Sequence, residues 1–235
     1  MYLQWGYNTE WYTNSTLHFK GAVNEVPHNF KVYNLRAHDR NDLDAIAKKP
    51  IEITIPQYNY RIGFYLNKEK TKAIELNFDH TKYIVYDEQL KHARGSIGNN
   101  SFDKDTVFAA NQLHFEHTNG ANFYQFNYVK QYIMKMRGNR PHLTLLWKAG
   151  AGFLIPKTDV TLFGKRLDNK FHLAGYCLGA EAGGRVYMSK RVFLEGTAKS
   201  GYANYTNSLT VDGGKAQHSF GYLELIGTVG YDIKF

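Results

Sequence analysis

Residues 225–235 read LIGTVGYDIKF, and the order of side chains in this stretch decides the fold. Leu225, Gly227, Val229, Tyr231, Ile233 and Phe235 fall on one side of a period-two pattern, while Thr228, Asp232 and Lys234 fall on the other. Such alternation puts successive side chains on opposite faces of a strand, so each face meets its own solvent. Which solvent belongs to which face has to come from the rest of the chain.

Working outward, the same period recurs throughout. YNYRIGFYLN (58–67) sets Tyr58, Tyr60, Ile62 and Phe64 against Arg61, and after the turn NKEKT, KAIELNFDHTKYIV (72–85) sets Ile74, Leu76 and Phe78 against Glu75, Asn77 and Asp79. In HLTLLWKAGAGFLIP (142–156), Leu143, Leu145, Trp147, Ala149, Ala151, Phe153 and Ile155 oppose Lys148, Gly150 and Gly152. Further on, Tyr176, Leu178, Ala180, Ala182 and Val186 face away from Glu181 and Arg185, and Val192, Leu194 and Ala198 face away from Glu195 and Lys199. Helix signals are confined to RNDLDAIAKK (40–49), with Asp42 as a cap. The chain is therefore expected to be all-β, one domain over residues 1–235, a size that barrels reach undivided.

Composition narrows the class. Aromatics are 15% of the chain, with 18 Tyr and 15 Phe, yet charged residues are 21% and mean hydropathy is −0.49. The longest apolar run, AGAGFLI (149–155), falls far short of the roughly 20 residues a spanning helix needs. A lone Cys177 excludes an intramolecular disulfide. The net charge of +8 comes from scattered Lys and Arg, not a basic block, so it suits anionic surfaces such as lipopolysaccharide phosphates and gives no case for nucleic acid.

Connectors alternate between short turns (NKEKT, RGNRP, SKR) and long polar segments (40–52, 86–112, 157–170, 207–217). Transmembrane barrels show this asymmetry, with short turns on the periplasmic side and longer loops outside. Taking 3–12, 16–20 and 29–37 as the first three strands gives a closed antiparallel up-and-down transmembrane β-barrel of ten strands. Because 16–20 is short for a crossing of roughly 9 to 11 residues, the hairpin it forms with 29–37 can instead project from the first loop, leaving eight. A soluble sandwich or lipocalin-like barrel also alternates, with its apolar face inward. Two features favour the membrane orientation. Gly150, Gly152 and Gly183 share the charged side, as a narrow lumen requires, and Tyr and Trp gather near strand ends as interfacial girdles do.

The terminal Phe235, with Tyr231 and Ile233 on the same face, resembles the C-terminal signature of Gram-negative outer-membrane β-barrels. The segments WGYNTEWYTNSTLHFKG (5–21), RAHDR (36–40) and IPQYNYRIGFY (55–65) are also similar to a group of small outer-membrane barrels. The resemblance implies outer-membrane residence, export by a signal peptide absent from this sequence, and insertion by the barrel-assembly machinery reading Tyr231, Ile233 and Phe235. It brings no catalytic residues.

Two groups of residues are singled out. Arg61, Glu75, Asp79, Lys148, Glu181, Arg185, Glu195, Lys199 and Glu224 fall on the expected lumen face, where so few strands leave room only for a paired network and no open pore. HFEHTNG (114–120) offers His114, Glu116 and His117; with Phe115 toward lipid, His114 and Glu116 would point inward beside Asp79. His117 with Asn119 faintly resembles the His-x-Ser-Asn stretch of lipid A deacylases, but Asn119 stands where those enzymes carry Ser, and a reaction needs nucleophile, base and orienter together. The His residues lack metal-ligand spacing, and Asp39, Asp42 and Asp44 lack the glycine and terminal Glu of an EF-hand, so no metal or cofactor is expected. The reading is a non-enzymatic barrel whose mobile extracellular loops, notably Asp87 to Asn111, contact a ligand, lipopolysaccharide or a partner in an outer-membrane complex. A lipid A-modifying hydrolase and a narrow small-solute channel are the alternatives.

Overall fold

The computed structural model describes residues 1–40, 48, 57–117 and 120–233. Its strands, in chain order, are β1 (Tyr2–Tyr12), β2 (Ser15–Val23), β3 (Val26–Leu35), β4 (Ala37–His38), β5 (Tyr58–Tyr65) and β6 (Lys72–His80). Next come β7 (Tyr83–Val85), β8 (Lys91–Ile97), β9 (Asn100–Thr106), β10 (Leu113–His117), β11 (Phe123–Arg137) and β12 (Arg140–Leu154). The last five are β13 (Asp159–Leu162), β14 (Lys165–Asp168), β15 (Gly175–Tyr187), β16 (Val192–Leu209) and β17 (Lys215–Asp232). Among the described residues no helix is long and apolar enough to cross a membrane.

Eight strands close on themselves in the order β1-β5-β6-β11-β12-β15-β16-β17, with β17 returning to β1 from Tyr2↔Asp232 to Tyr12↔Tyr222. The ring is eight-membered, not ten-membered, and the reason lies at Thr13. There the chain kinks, Thr13 exchanging backbone and hydroxyl hydrogen bonds with Gly221, and β2 then resumes along the same edge of β17 through His18↔Gln217 and Lys20↔Lys215. Residues 16–20 thus prolong the course of β1 along β17. β3, β8 and β9 then extend this sheet sideways.

The long connectors are likewise folded. β4, β7, β10, β13 and β14 form a second sheet in the order β14-β13-β10-β7-β4. It faces the β2–β3 side across an apolar core that includes Leu17, Phe19, Phe30, Val32, Phe115, Val160 and Leu162. Phe19 stacks on Phe30 and meets Phe115 edge-on with centroids 5.8 Å apart, joining the two sheets. The expected mobile loop from Asp87 to Asn111 contains the β8–β9 hairpin.

β17 shows how one strand serves both regions. Near its start Lys215, Gln217 and Ser219 face out while Ala216 and Phe220 are buried; beyond Tyr222, Leu223, Leu225, Val229 and Tyr231 face out while Glu224, Thr228 and Asp232 are buried. β16 reverses likewise, from outward Asn204 to outward Tyr202, Leu194 and Val192. Around the ring the outward apolar side chains form a belt from Leu3, Phe64, Leu145 and Tyr231 up to Trp11, Tyr124, Tyr176 and Leu223. Above the belt lies the two-sheet cap.

At the other end of the ring, Tyr2, Ala73, Val129, Tyr187 and Phe193 pack into a small aromatic plug. Two glycines make room for it: a Cβ on Gly63 would lie 2.0 Å from the Tyr2 ring, and one on Gly230 would lie 2.1 Å from Phe193. A Gly63→Ala variant is therefore expected to lose about 1–3 kcal/mol through overpacking. Gly196→Ala, whose added Cβ meets nothing within 4 Å, should change little. Melting of the two purified variants checks this, and equal melting would contradict the packing.

Candidate functional site

Inside the ring the inward positions of neighbouring strands stand side by side because the register is direct: Lys148↔Glu181, Glu181↔Lys199, Arg185↔Glu195 and Lys199↔Glu224 are cross-strand pairs. Every lumen residue singled out from the sequence joins one network. Arg61 contacts Glu181 at 2.9 Å, Glu75 at 3.3 Å and Asp79 at 3.8 Å. Lys148 reaches Glu195 at 2.8 Å, Glu75 at 2.9 Å and Glu181 at 3.2 Å. Arg185 holds Glu195 at 2.7 Å, and Lys199 bridges Asp79 and Glu224. All these side chains are at most 2% exposed.

Residues that sequence reasoning left out complete the network. Tyr2 donates to Glu75 at 2.6 Å, Asn8 donates to Glu224 at 2.8 Å, and the Arg185 guanidinium lies 3.9 Å over the Phe193 ring and 4.7 Å over Tyr2. The signal was present in the period-two phase of 2–12, where Tyr2, Gln4, Asn8 and Glu10 share the buried side. Chemically the interior is an ionic layer, with four cations and five carboxylates contacting one another.

HFEHTNG is placed differently from expectation. Phe115 is 1% exposed in the cap core and does not face lipid; His117 is buried with it, while His114 and Glu116 lie on the opposite, partly exposed face. The phase is inverted because β10 belongs to the cap, whose apolar side turns inward. Glu116 therefore does not meet Asp79, which is held by Lys199 and Arg61. His114 bonds Asp87 at 2.8 Å and lies 3.4 Å from Glu116; these contacts, Glu116 first, raise it to about 9 against the opposing effect of burial. Thr118, Asn119, Asp42, Asp44 and Phe235 lie outside the described residues. Asp39 accepts the Glu10 backbone N–H at 2.9 Å and a Gln57 amide proton, tying the cap's base to β1. Tyr231 faces out, and Ile233 donates its N–H to the Met1 carbonyl at 2.9 Å.

The unforeseen feature is a buried histidine pair where cap meets ring. His117 of β10 and His218 of β17 are hydrogen-bonded through Nε2 atoms 3.1 Å apart, and the Thr158 hydroxyl lies 3.0 Å from His117 Nδ1. Tyr205 stacks on both rings, at 4.6 Å and 4.7 Å. Burial pushes His117 well below its ordinary value, and it pushes His218 down to about 3. Thr158, His117 and His218 are nearly inaccessible, so this hydroxyl–imidazole chain cannot meet a substrate. It bonds the two sheets instead.

No family model matches the chain, and no curated protein does. Among solved structures it is similar to Neisserial surface protein A, at 11% identity and TM-score 0.42 over 99% of this chain and 96% of that one. It is also similar to the outer membrane protein OprG from Pseudomonas aeruginosa, at 9% identity and TM-score 0.43 over 100% and 95%. Neither likeness supports an inference about what this chain does.

Two outcomes follow from the geometry. Glu181→Ala leaves Arg61 with fewer acids and Lys148 short of a contact, so melting in detergent should show a loss of about 3–5 kcal/mol; unchanged melting would contradict the network. For the histidines the folded pKa lies below the unfolded value near 6.5, so their contribution is present above that pH and shrinks as pH falls. The cap should become protease-sensitive between pH 7 and pH 4.5, and His218→Phe should blunt that dependence; an identical pH profile in the variant would contradict it.

Proposed function

We propose that this chain is a non-enzymatic outer-membrane β-barrel of a Gram-negative bacterium, its cap displayed at the cell surface to bind a ligand or to serve as an accessory subunit of an outer-membrane complex. The observation that carries this reading is the reversal on β16 and β17, where outward side chains change from polar to apolar at one level while inward ones change oppositely. A strand that alters its outward partner in this way lies across a boundary between water and hydrocarbon, and strand-to-strand pairing around the whole circuit is what a spanning sheet requires.

The outer surface of the cap also favours contact with lipopolysaccharide. Lys20 and Lys215 stand directly opposite each other on β2 and β17, both exposed, beside His18 and Gln217. Like charges in opposed positions are unfavourable in a sheet, and an anionic phosphate would relieve them. Of the alternatives, a channel needs a bore that the ionic layer occupies, and a hydrolase needs an accessible nucleophile.

Single cysteines test the topology, since native Cys177 is buried. Lys104→Cys, on exposed β9, should react with a membrane-impermeant maleimide on intact cells, whereas Asn139→Cys, in the turn at the opposite end, should react only after lysis. Reversed labelling would overturn the orientation, and a protein soluble without detergent would overturn the membrane assignment.

A further inference from the structure

The end of the ring opposite the cap is not flush. β11 and β12 run on past their neighbours: the β6 register ends at Lys130↔Lys72 and the β15 register at Leu143↔Val186, while β11 pairs with β12 as far as Arg137↔Arg140. Residues 132–142 therefore project as a two-stranded tongue. Its Tyr132, Ile133, Met134 and Met136 are 40–58% exposed, and beyond the Gln131 N–H bond to Thr71 the β11 edge has no strand partner among the described residues. Exposed edges of this kind invite pairing with another chain.

Between the tongue and the turns after β5 and β15 lies a cleft of about 370 Å³. Its apolar wall is Ile133, Met136, Pro141 and Tyr187, and its rim carries Lys68, Lys70, Arg140 and Lys190. Lys70 is held by Asp232 at 2.7 Å, but among the described residues Lys68, Arg140 and Lys190 form no ion pair. On the floor sits Gln131, 2% exposed; its carbonyl oxygen lies 3.5 Å from the Thr144 hydroxyl, and its Nε2 has no partner. The nearby acids are Glu69, which accepts from Asn67, and Asp232, already engaged.

We infer that this cleft is a docking site for an extended acidic peptide segment of a partner protein, added as a strand along β11 beyond Gln131. Three features select that occupant. The open edge offers backbone N–H and C=O groups that an extended peptide satisfies and a lipid headgroup does not. The unpartnered amide on the floor requires an acceptor, which a peptide carbonyl or carboxylate supplies. The free cations call for acidic side chains at alternate positions, with apolar ones between them against Ile133 and Met136. The inference goes beyond the reading above and rests on it only for compartment: the partner would be periplasmic.

The experiment uses the full chain in detergent micelles and a fluorescent octapeptide alternating Glu and Val, followed by anisotropy. Saturable binding is expected. It should weaken about tenfold or more for the Lys68→Glu, Lys190→Glu double variant, for Gln131→Leu, and for a peptide N-methylated at alternate residues. The lysine variant alters only rim positions, so its melting should match the parent. Equal binding of a Lys/Val octapeptide, indifference to N-methylation, or displacement by phosphatidylglycerol doped into the micelles would each overturn the proposal. Surface labelling of Asn139→Cys on intact cells would overturn only the compartment, leaving the peptide result to stand or fall separately.

Discussion

Pairing between β1 and β17, continuous from Tyr2↔Asp232 to Tyr12↔Tyr222, creates an inside and an outside where an open sheet would have two ordinary faces. Once the ring is shut with eight strands, its bore admits side chains and little more. Inward positions must then fit each other at van der Waals distance, and outward positions are released from any packing inside the molecule. The two faces become separate problems. The outward one is solved by Leu, Val, Tyr and Trp in a band, and the inward one by charge.

Charge is an uneasy filler. Taking an ion out of water costs several kcal/mol, recovered only where partners are close and numerous. Each cation here therefore touches more than one acceptor or ring: Arg61 and Lys148 both reach Glu75 and Glu181, and Arg185 lies over Phe193 and Tyr2 while it holds Glu195. The direct register makes this possible. Because antiparallel neighbours oppose each other without offset, a Lys on one strand and a Glu on the next project into the same slice of lumen. Asn8 and Tyr2 add hydrogen bonds to the carboxylates that ion pairs leave partly free.

The ring was legible in the sequence because its rule is local. Period two, with charge on one parity and aliphatics on the other, placed Arg61, Glu75, Lys148 and Glu181 on a common face without knowledge of their partners. The cap obeys the same period with the solvents exchanged, which defeats a reading that assumes one orientation throughout. That is why the expectation of Phe115 toward lipid with His114 and Glu116 inward fails. The reversal is nonetheless written in 215–232: odd positions run Lys, Gln, Ser, Gly and then Leu, Leu, while even positions run Ala, His, Phe, Tyr and then Glu. The kink at Thr13 carried no such mark. A short polar step between apolar stretches reads as a turn, whereas its hydrogen bonds to Gly221 keep the chain on its original course. The His117–His218 bond joins residues 101 apart in sequence, and no local pattern specifies it.

The two ends of the ring meet their surroundings in opposite ways. Toward the cap, β16 and β17 run on as sheet and β1, β6 and β12 lead through short steps into β2, β7 and β13, and a core of Phe, Leu and Val covers the facing sides of the two sheets; Tyr205, stacked on both histidines, belongs to this core. Toward the other end the ring is closed by Tyr2, Tyr187 and Phe193, and a single pair of strands continues beyond it. A tongue of this kind gains nothing from the lumen, for its residues have left it, and nothing from neighbouring strands, which have stopped. Its Ile133 and Met136 share one wall of the cleft with Pro141 and Tyr187 beneath a rim of cations. Exposed apolar surface beside unpaired charge is a poor solution for an isolated chain and a good one for a chain that acquires a partner there. The asymmetry thus sets the two proposed contact surfaces at opposite ends of the ring, the cap above the belt and the open-edged tongue below it.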